Sequence, residues 1–279
     1  MIPSTMKFSF CNEPFKEIPF SEACRIVADV GYDGIELAPF TFAEDFRTLD
    51  KGNRDRIRKA AEDSGLEVVG IHWLLVSPQG FHLTTEDAEV RAKTLDFMKS
   101  LLEFCRDVGG KVLIHGSPKQ RNLEPDQNRE EVERRTIEIF RTVGEEAERL
   151  GVTFCLEALD RGQTNFIQTP AEAYDIVRKV DRTGFQMMVD ARASFEMGLD
   201  PAEELRKFYP AARHVHLNET NMLGPGMGEH DFEPLFRAGK DLDFGGFFSV
   251  EPFDYSPGPE NIARKSFATI QDLCQRVFG

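Results

Sequence analysis

Several features that mark specialised protein classes are scarce or missing from this chain. Its five cysteines, Cys11, Cys24, Cys105, Cys155 and Cys274, are odd in number and far apart, and no C-x-x-C pair occurs. That spacing argues against a disulfide framework or a zinc knuckle and fits a reducing compartment. Basic residues are the scarcer charge, 34 Lys plus Arg against 48 Asp plus Glu, giving a net charge of −14. A surface that acidic repels phosphate backbones, and no Lys or Arg run marks a groove for nucleic acid. No apolar run approaches the ~20 residues that span a bilayer, so no membrane partner is expected. The opening MIPSTMKFSFCNE lacks the basic start and continuous apolar stretch of a secretory signal, and cytoplasmic residence is expected. There is no G-x-G-x-x-G turn after the first apolar segment, where Cys11-Asn12-Glu13-Pro14 stands instead. Without a linker or a shift in composition, one domain over residues 1–279 is expected.

What is present is a regular alternation. Strand-like segments read KFSFC (7–11), GIELA (34–38), EVVGIH (67–72), KVLIHG (111–116), VTFCLE (152–157), GFQMMVD (184–190), ARHVHL (212–217) and GFFSVE (246–251). Amphipathic stretches separate most of them, with apolar side chains at helical spacing, as in Leu95, Met98, Leu102 and Cys105. Gly31, Gly65, Gly109 and Gly151 stand where helices stop; Thr169-Pro170 and Asp200-Pro201 stand where they start. Eight strand–helix units in this length predict a closed parallel (β/α)8 TIM barrel of class α/β, with an open doubly wound sheet as the competitor.

Four consecutive strands end on side chains that bind metals: Glu157, Asp190, His216 and Glu251, which are 33, 26 and 35 residues apart. If these point inward, so do Cys155, Met188, His214 and Ser249 one layer below, because faces alternate along a strand. His214 then reads as a hydrogen-bonded core residue. Three carboxylates and one imidazole at one barrel mouth form an oxygen-rich site suited to one divalent ion: Mn²⁺ first, with Co²⁺, Mg²⁺ or Zn²⁺ as alternatives. Such an ion would polarise a sugar carbonyl and acidify the adjacent C–H bond, so that a nearby carboxylate could take the proton. The outcome is isomerisation, epimerisation or, with a β leaving group, elimination.

Other candidates surround this set. His72 and His115 end the third and fourth strands and are candidates for substrate contact or for capping or core hydrogen bonds; Glu36, in the second, could hydrogen-bond sugar hydroxyls or form a salt bridge at the core edge. Lys119 and Arg121, in HGSPKQRN, could clamp a carboxylate or phosphate, and so could Arg192, two residues beyond Asp190 in a segment read as extended. An acidic or phosphorylated sugar follows as the expected substrate. Glu229 and His230 lie in a Gly-rich loop that could close over it. Trp73, Phe10, Phe40 and Phe253 could supply apolar walls.

The motifs GYDGIEL (31–37), LEALDR (156–161), VDA (189–191), HVHLNE (214–219), PGMGEHDF (225–232) and VEPF (250–253) resemble the xylose isomerase-like barrel superfamily, in its sugar isomerase/epimerase branch. The resemblance covers essentially the whole chain. It implies that Glu157, Asp190, His216 and Glu251 bind one divalent metal and that Glu157 and Glu251 also act as acid and base, making the protein a metal-dependent isomerase or epimerase. Homo-oligomers are common in that superfamily. The chain departs from ketose 3-epimerases at Ala193 and Met222, where those enzymes carry a histidine and an arginine that contact substrate oxygens. A lyase or dehydratase of the same superfamily is therefore the alternative. An endonuclease IV-like phosphodiesterase is a more distant one, and a non-catalytic sugar-binding barrel is disfavoured by the full ligand set.

Overall fold

The computed structural model describes residues 6–279. Its strands are β1 (Lys7–Cys11), β2 (Gly34–Leu37), β3 (Glu67–Ile71), β4 (Val112–His115), β5 (Thr153–Leu156), β6 (Phe185–Asp190), β7 (Ala212–Leu217) and β8 (Phe247–Val250). They pair in parallel, in sequence order, and β8 closes onto β1. The helices are α1 (Phe20–Val30), α2 (Lys51–Asp63), α3 (Ala88–Asp107), α4 (Arg129–Leu150), α5 (Pro170–Val180), α6 (Ala191–Glu196), α7 (Pro201–Phe208), α8 (Glu233–Asp241) and α9 (Pro259–Phe278). The molecule is a single (β/α)8 TIM barrel, as the alternation implied. No described helix is long and apolar enough to cross a membrane.

Local chemistry explains the boundaries. Thr169 caps α5 with a full capping box: its hydroxyl accepts from the Glu172 amide while Glu172 reaches back to the Thr169 amide. Gly31 and Gly151 end α1 and α4 in the left-handed conformation that glycine adopts at least cost. Two helices were not anticipated. α8 spans nine residues and contains both Pro234 and Gly239, which weaken its periodic signal. α6 starts directly after β6, so the segment read as extended beyond Asp190 turns into a helix instead. Asp190 is its N-cap, accepting from the Ala193 amide at 2.6 Å.

Two packed regions hold the barrel. The larger fills the space between strands and helices, with Phe8, Phe10, Phe97, Phe140, Phe154 and Phe185 fully buried. The smaller lies inside the barrel, where Ile114, Cys155 and Met188 meet. Residues two positions beyond that layer, Gly116, Glu157 and Asp190, therefore reach the C-terminal mouth, the end at which sites of this fold are built.

Candidate active site

Each of the four strand-end groups is placed by the ladder beneath it. The Glu157 amide donates to the His115 carbonyl beside β4, and the Glu251 amide donates to the Leu217 carbonyl of β7. Asp190 and His216 are register partners between β6 and β7. All four are buried, and one donor atom from each lies within 4.8 Å of the others. His216 Nδ1 is 2.8 Å from Glu251 Oε2 and 3.7 Å from both Glu157 Oε1 and Asp190 Oδ2. Gly116 makes room for this arrangement: a Cβ there would lie 2.2 Å from Glu157 Oε2.

Burial and like charge make it hard for these carboxylates to ionise together. Burial, together with the Glu157 charge, raises Asp190 to about 6. Burial likewise raises Glu251 to about 7, with His216 opposing and Glu157 adding to the shift. Burial disfavours the charged form of His216, but Glu251 and Glu36 outweigh it and hold its pKa well above the usual range. Three clustered carboxylates facing one imidazole suit a divalent ion with oxygen and nitrogen ligands. The residues present fit such an ion.

A second layer lies beneath. Glu36, fully buried, is approached by three imidazoles: His214 Nε2 at 2.9 Å, His216 Nε2 at 3.2 Å and His72 Nδ1 at 3.3 Å. Burial raises the Glu36 pKa, but His214 and His216 overcome it and keep the carboxylate well below its usual range. His72 Nε2 lies 2.7 Å from Glu13 Oε1, which also accepts from the Trp73 indole at 2.9 Å. Asn218 Nδ2 donates to Asp190 Oδ2 (2.8 Å) and Glu251 Oε2 (3.2 Å), while its carbonyl accepts from the Arg192 amide. Sequence reasoning missed Asn218 and Glu13. Asn218 sits two residues beyond His216 on the same face of the chain, a signal that parity could have used.

A cleft opens above the four groups, with His72, Trp73, Gln163, Arg192 and Phe253 among its walls. Several expected contacts are placed elsewhere. Glu36 lies below the cleft in the imidazole layer rather than against it. His115 points outward onto Phe140 and Phe154, because the inward position at the end of β4 belongs to Gly116. Burial and the neighbouring Arg121 charge push His115 down to about 3. Arg121 is itself fully buried, its Nη atoms donating to the carbonyls of Glu157 (2.7 Å), Ile167 (3.1 Å) and His115 (3.3 Å), and it does not line the cleft. Lys119 and Glu229 are exposed and do not line the cleft. His230 packs on Phe195, and its ring lies 3.7 Å from Glu219. Phe10 packs on Phe15 and Tyr32 in the outer core, whereas Phe40 and Phe253 both contact Trp73. Arg192 reaches the cleft from the first turn of α6.

A family model for the xylose isomerase-like TIM barrel matches residues 24–273. The chain belongs to this family. A probable ketose 3-epimerase of Synechocystis sp. is 25% identical to this xylose isomerase-like barrel over 231 residues, covering 81% of this chain and 75% of the relative. A 3-dehydro-D-guloside 4-epimerase of Escherichia coli is 24% identical over 283 residues, covering 95% and 99%. The crystal structure of a D-psicose 3-epimerase in the presence of D-fructose superimposes with a TM-score of 0.84 at 21% identity, covering 98% of this chain and 100% of that one.

Proposed function

We propose that this barrel is a divalent-metal-dependent epimerase of a keto-sugar, with Glu157 and Glu251 as the proton-moving groups. That it is an enzyme of the isomerase/epimerase kind rests on its named relatives. The observation carrying the metal-dependent reading is the convergence of Glu157, Asp190, His216 and Glu251, whose donor atoms all lie within 4.8 Å of one another. A divalent cation held there, for which Mn²⁺ is the first choice, supplies electrophilic polarisation of the substrate carbonyl. Glu157 follows β5 and Glu251 follows β8, on separated strands of the ring. One takes a proton from the carbon next to the carbonyl, and the other returns a proton to the opposite face. Asn218 fixes Asp190 and Glu251 through its amide. Phe253 and Trp73 offer apolar surface to the sugar's C–H faces and help exclude water.

The test is C–H exchange in D₂O, followed by NMR over a panel of keto-sugars with the metal-loaded protein. Epimerisation exchanges one C–H and conserves the molecular formula. Glu157→Gln and Glu251→Gln should each lower exchange by about 10²- to 10⁴-fold. Exchange at the wild-type rate in both variants would remove the mechanism.

A second reading, elimination of a β-substituent, is favoured by one observation. His72 lines the cleft and is held by Glu13, which provides a third group able to escort a leaving group. Loss of mass from the product distinguishes this outcome.

A further inference from the structure

We infer that the cleft is shaped for a sugar bearing a single carboxylate, received by the Arg192 guanidinium. This deepens the epimerase reading and rests on it. Arg192 is only 9% exposed and lines the same cleft as Glu157, Asp190 and Glu251. Among the described residues its one ion-pair neighbour is Asp160, at 3.8 Å between Nη1 and Oδ2, beyond hydrogen-bond reach, and Arg192 Nε has no partner. Asp160 is engaged elsewhere: Oδ1 accepts from the Gly162 amide at 2.7 Å and Oδ2 from Gln163 Nε2 at 2.6 Å. A buried guanidinium whose donors lack acceptors is costly, and ligand oxygens in the cleft would relieve that cost. Phe253 supports one face of the guanidinium at 5.9 Å. That leaves a planar fork free to meet a planar carboxylate with two parallel hydrogen bonds.

Charge balance selects a carboxylate over a phosphoryl group. Among the described residues, Arg192 is the only Lys or Arg that lines the cleft. Lys119 is exposed, and Arg121 is committed to backbone carbonyls. A phosphoryl dianion would face one cation already shadowed by Asp160, in a cleft carrying three further carboxylates. A monoanion matches the charge available.

The experiment compares a ketohexuronate, the matching neutral ketohexose and its terminal phosphate on the metal-loaded enzyme, reading kcat/KM from C–H exchange. The uronate should be preferred over both by about 10- to 100-fold, chiefly through KM, as expected for a charge-assisted bidentate pair. Arg192→Met should collapse the ratio to near unity, and Arg192→Lys should restore part of it. Calorimetric binding of D-glucuronate against D-glucose to the unmutated protein gives a second readout that needs no turnover and no folded variant; tighter glucuronate binding is expected. A neutral or phosphorylated ketose handled as well as the uronate would overturn the inference. So would an unchanged ratio in Arg192→Met, or equal binding of glucuronate and glucose. Absence of exchange on every member of the panel would instead sink the epimerase reading, and the calorimetric comparison would still decide the role of Arg192.

Discussion

Glu36 Oε1 lies 3.2 Å from His216 Nε2, while the other nitrogen of the same ring, Nδ1, faces the three carboxylates of the barrel mouth. The carboxylate beneath therefore fixes the ring's orientation and raises its basicity toward a cation above. Glu36→Gln should fold, keep its overall secondary structure and lose about 10- to 100-fold in metal affinity. Titration with a competing chelator measures this; wild-type affinity in the variant would assign Glu36 to packing alone.

Removing the metal should destabilise the protein in a pH-dependent way. Asp190 and Glu251 are raised to about 6 and 7, so in the metal-free fold their contribution is full below the unfolded carboxyl range and is lost as pH rises through 6 to 7. Above that window both ionise beside Glu157, and a bound cation offsets more repulsion. The difference in melting temperature between metal-loaded and chelator-treated protein should thus be larger at pH 8 than at pH 5.5, as scanning calorimetry would show. A difference independent of pH would separate these groups from the metal.

Gly116→Ala tests the close approach beside Glu157. The added methyl would sit 2.2 Å from Glu157 Oε2, so the carboxylate must move. A fall of at least about 10-fold in kcat/KM is expected, since misplacing a reacting group by about 1 Å costs as much or more. Kinetics beside a thermal melt distinguish a displaced carboxylate from a globally weakened fold.

His115, packed away from the cleft, should contribute to the acid sensitivity of the fold. Its pKa is depressed to about 3 by burial and by Arg121, so the stability it contributes is present above the unfolded histidine value and is lost as pH falls toward 3. The full span corresponds to roughly 3–5 kcal/mol. His115→Leu should flatten the acid limb of a stability–pH curve measured by denaturant titration. An unaltered acid limb would place the sensitivity elsewhere.

The strand pattern was legible because eight short apolar runs alternate with longer amphipathic ones, and because face alternation carried Cys155 to Glu157 and Met188 to Asp190. The same rule misplaced His115: the inward register of β4 runs Val112, Ile114, Gly116, and the glycine that occupies the mouth carries no side chain to announce it. Arg121 was misread for a different reason. Loop cations are usually solvated, and nothing local showed that this one would be drawn inward to the carbonyls of Glu157 and Ile167. Glu13 stayed hidden because its partners, His72 and Trp73, lie about 60 residues along the chain and meet it only when β1 and β3 close into the barrel.

Trp73 is the sole tryptophan of the chain, and its indole forms part of the cleft wall while donating to Glu13. The one indole fluorophore of the chain thus stands in the same cleft as Glu157, Asp190 and Glu251. Cation uptake, sugar entry and any rearrangement of the Glu13–His72 pair should each alter its emission, so the protein can report its own occupancy in a cuvette without a label.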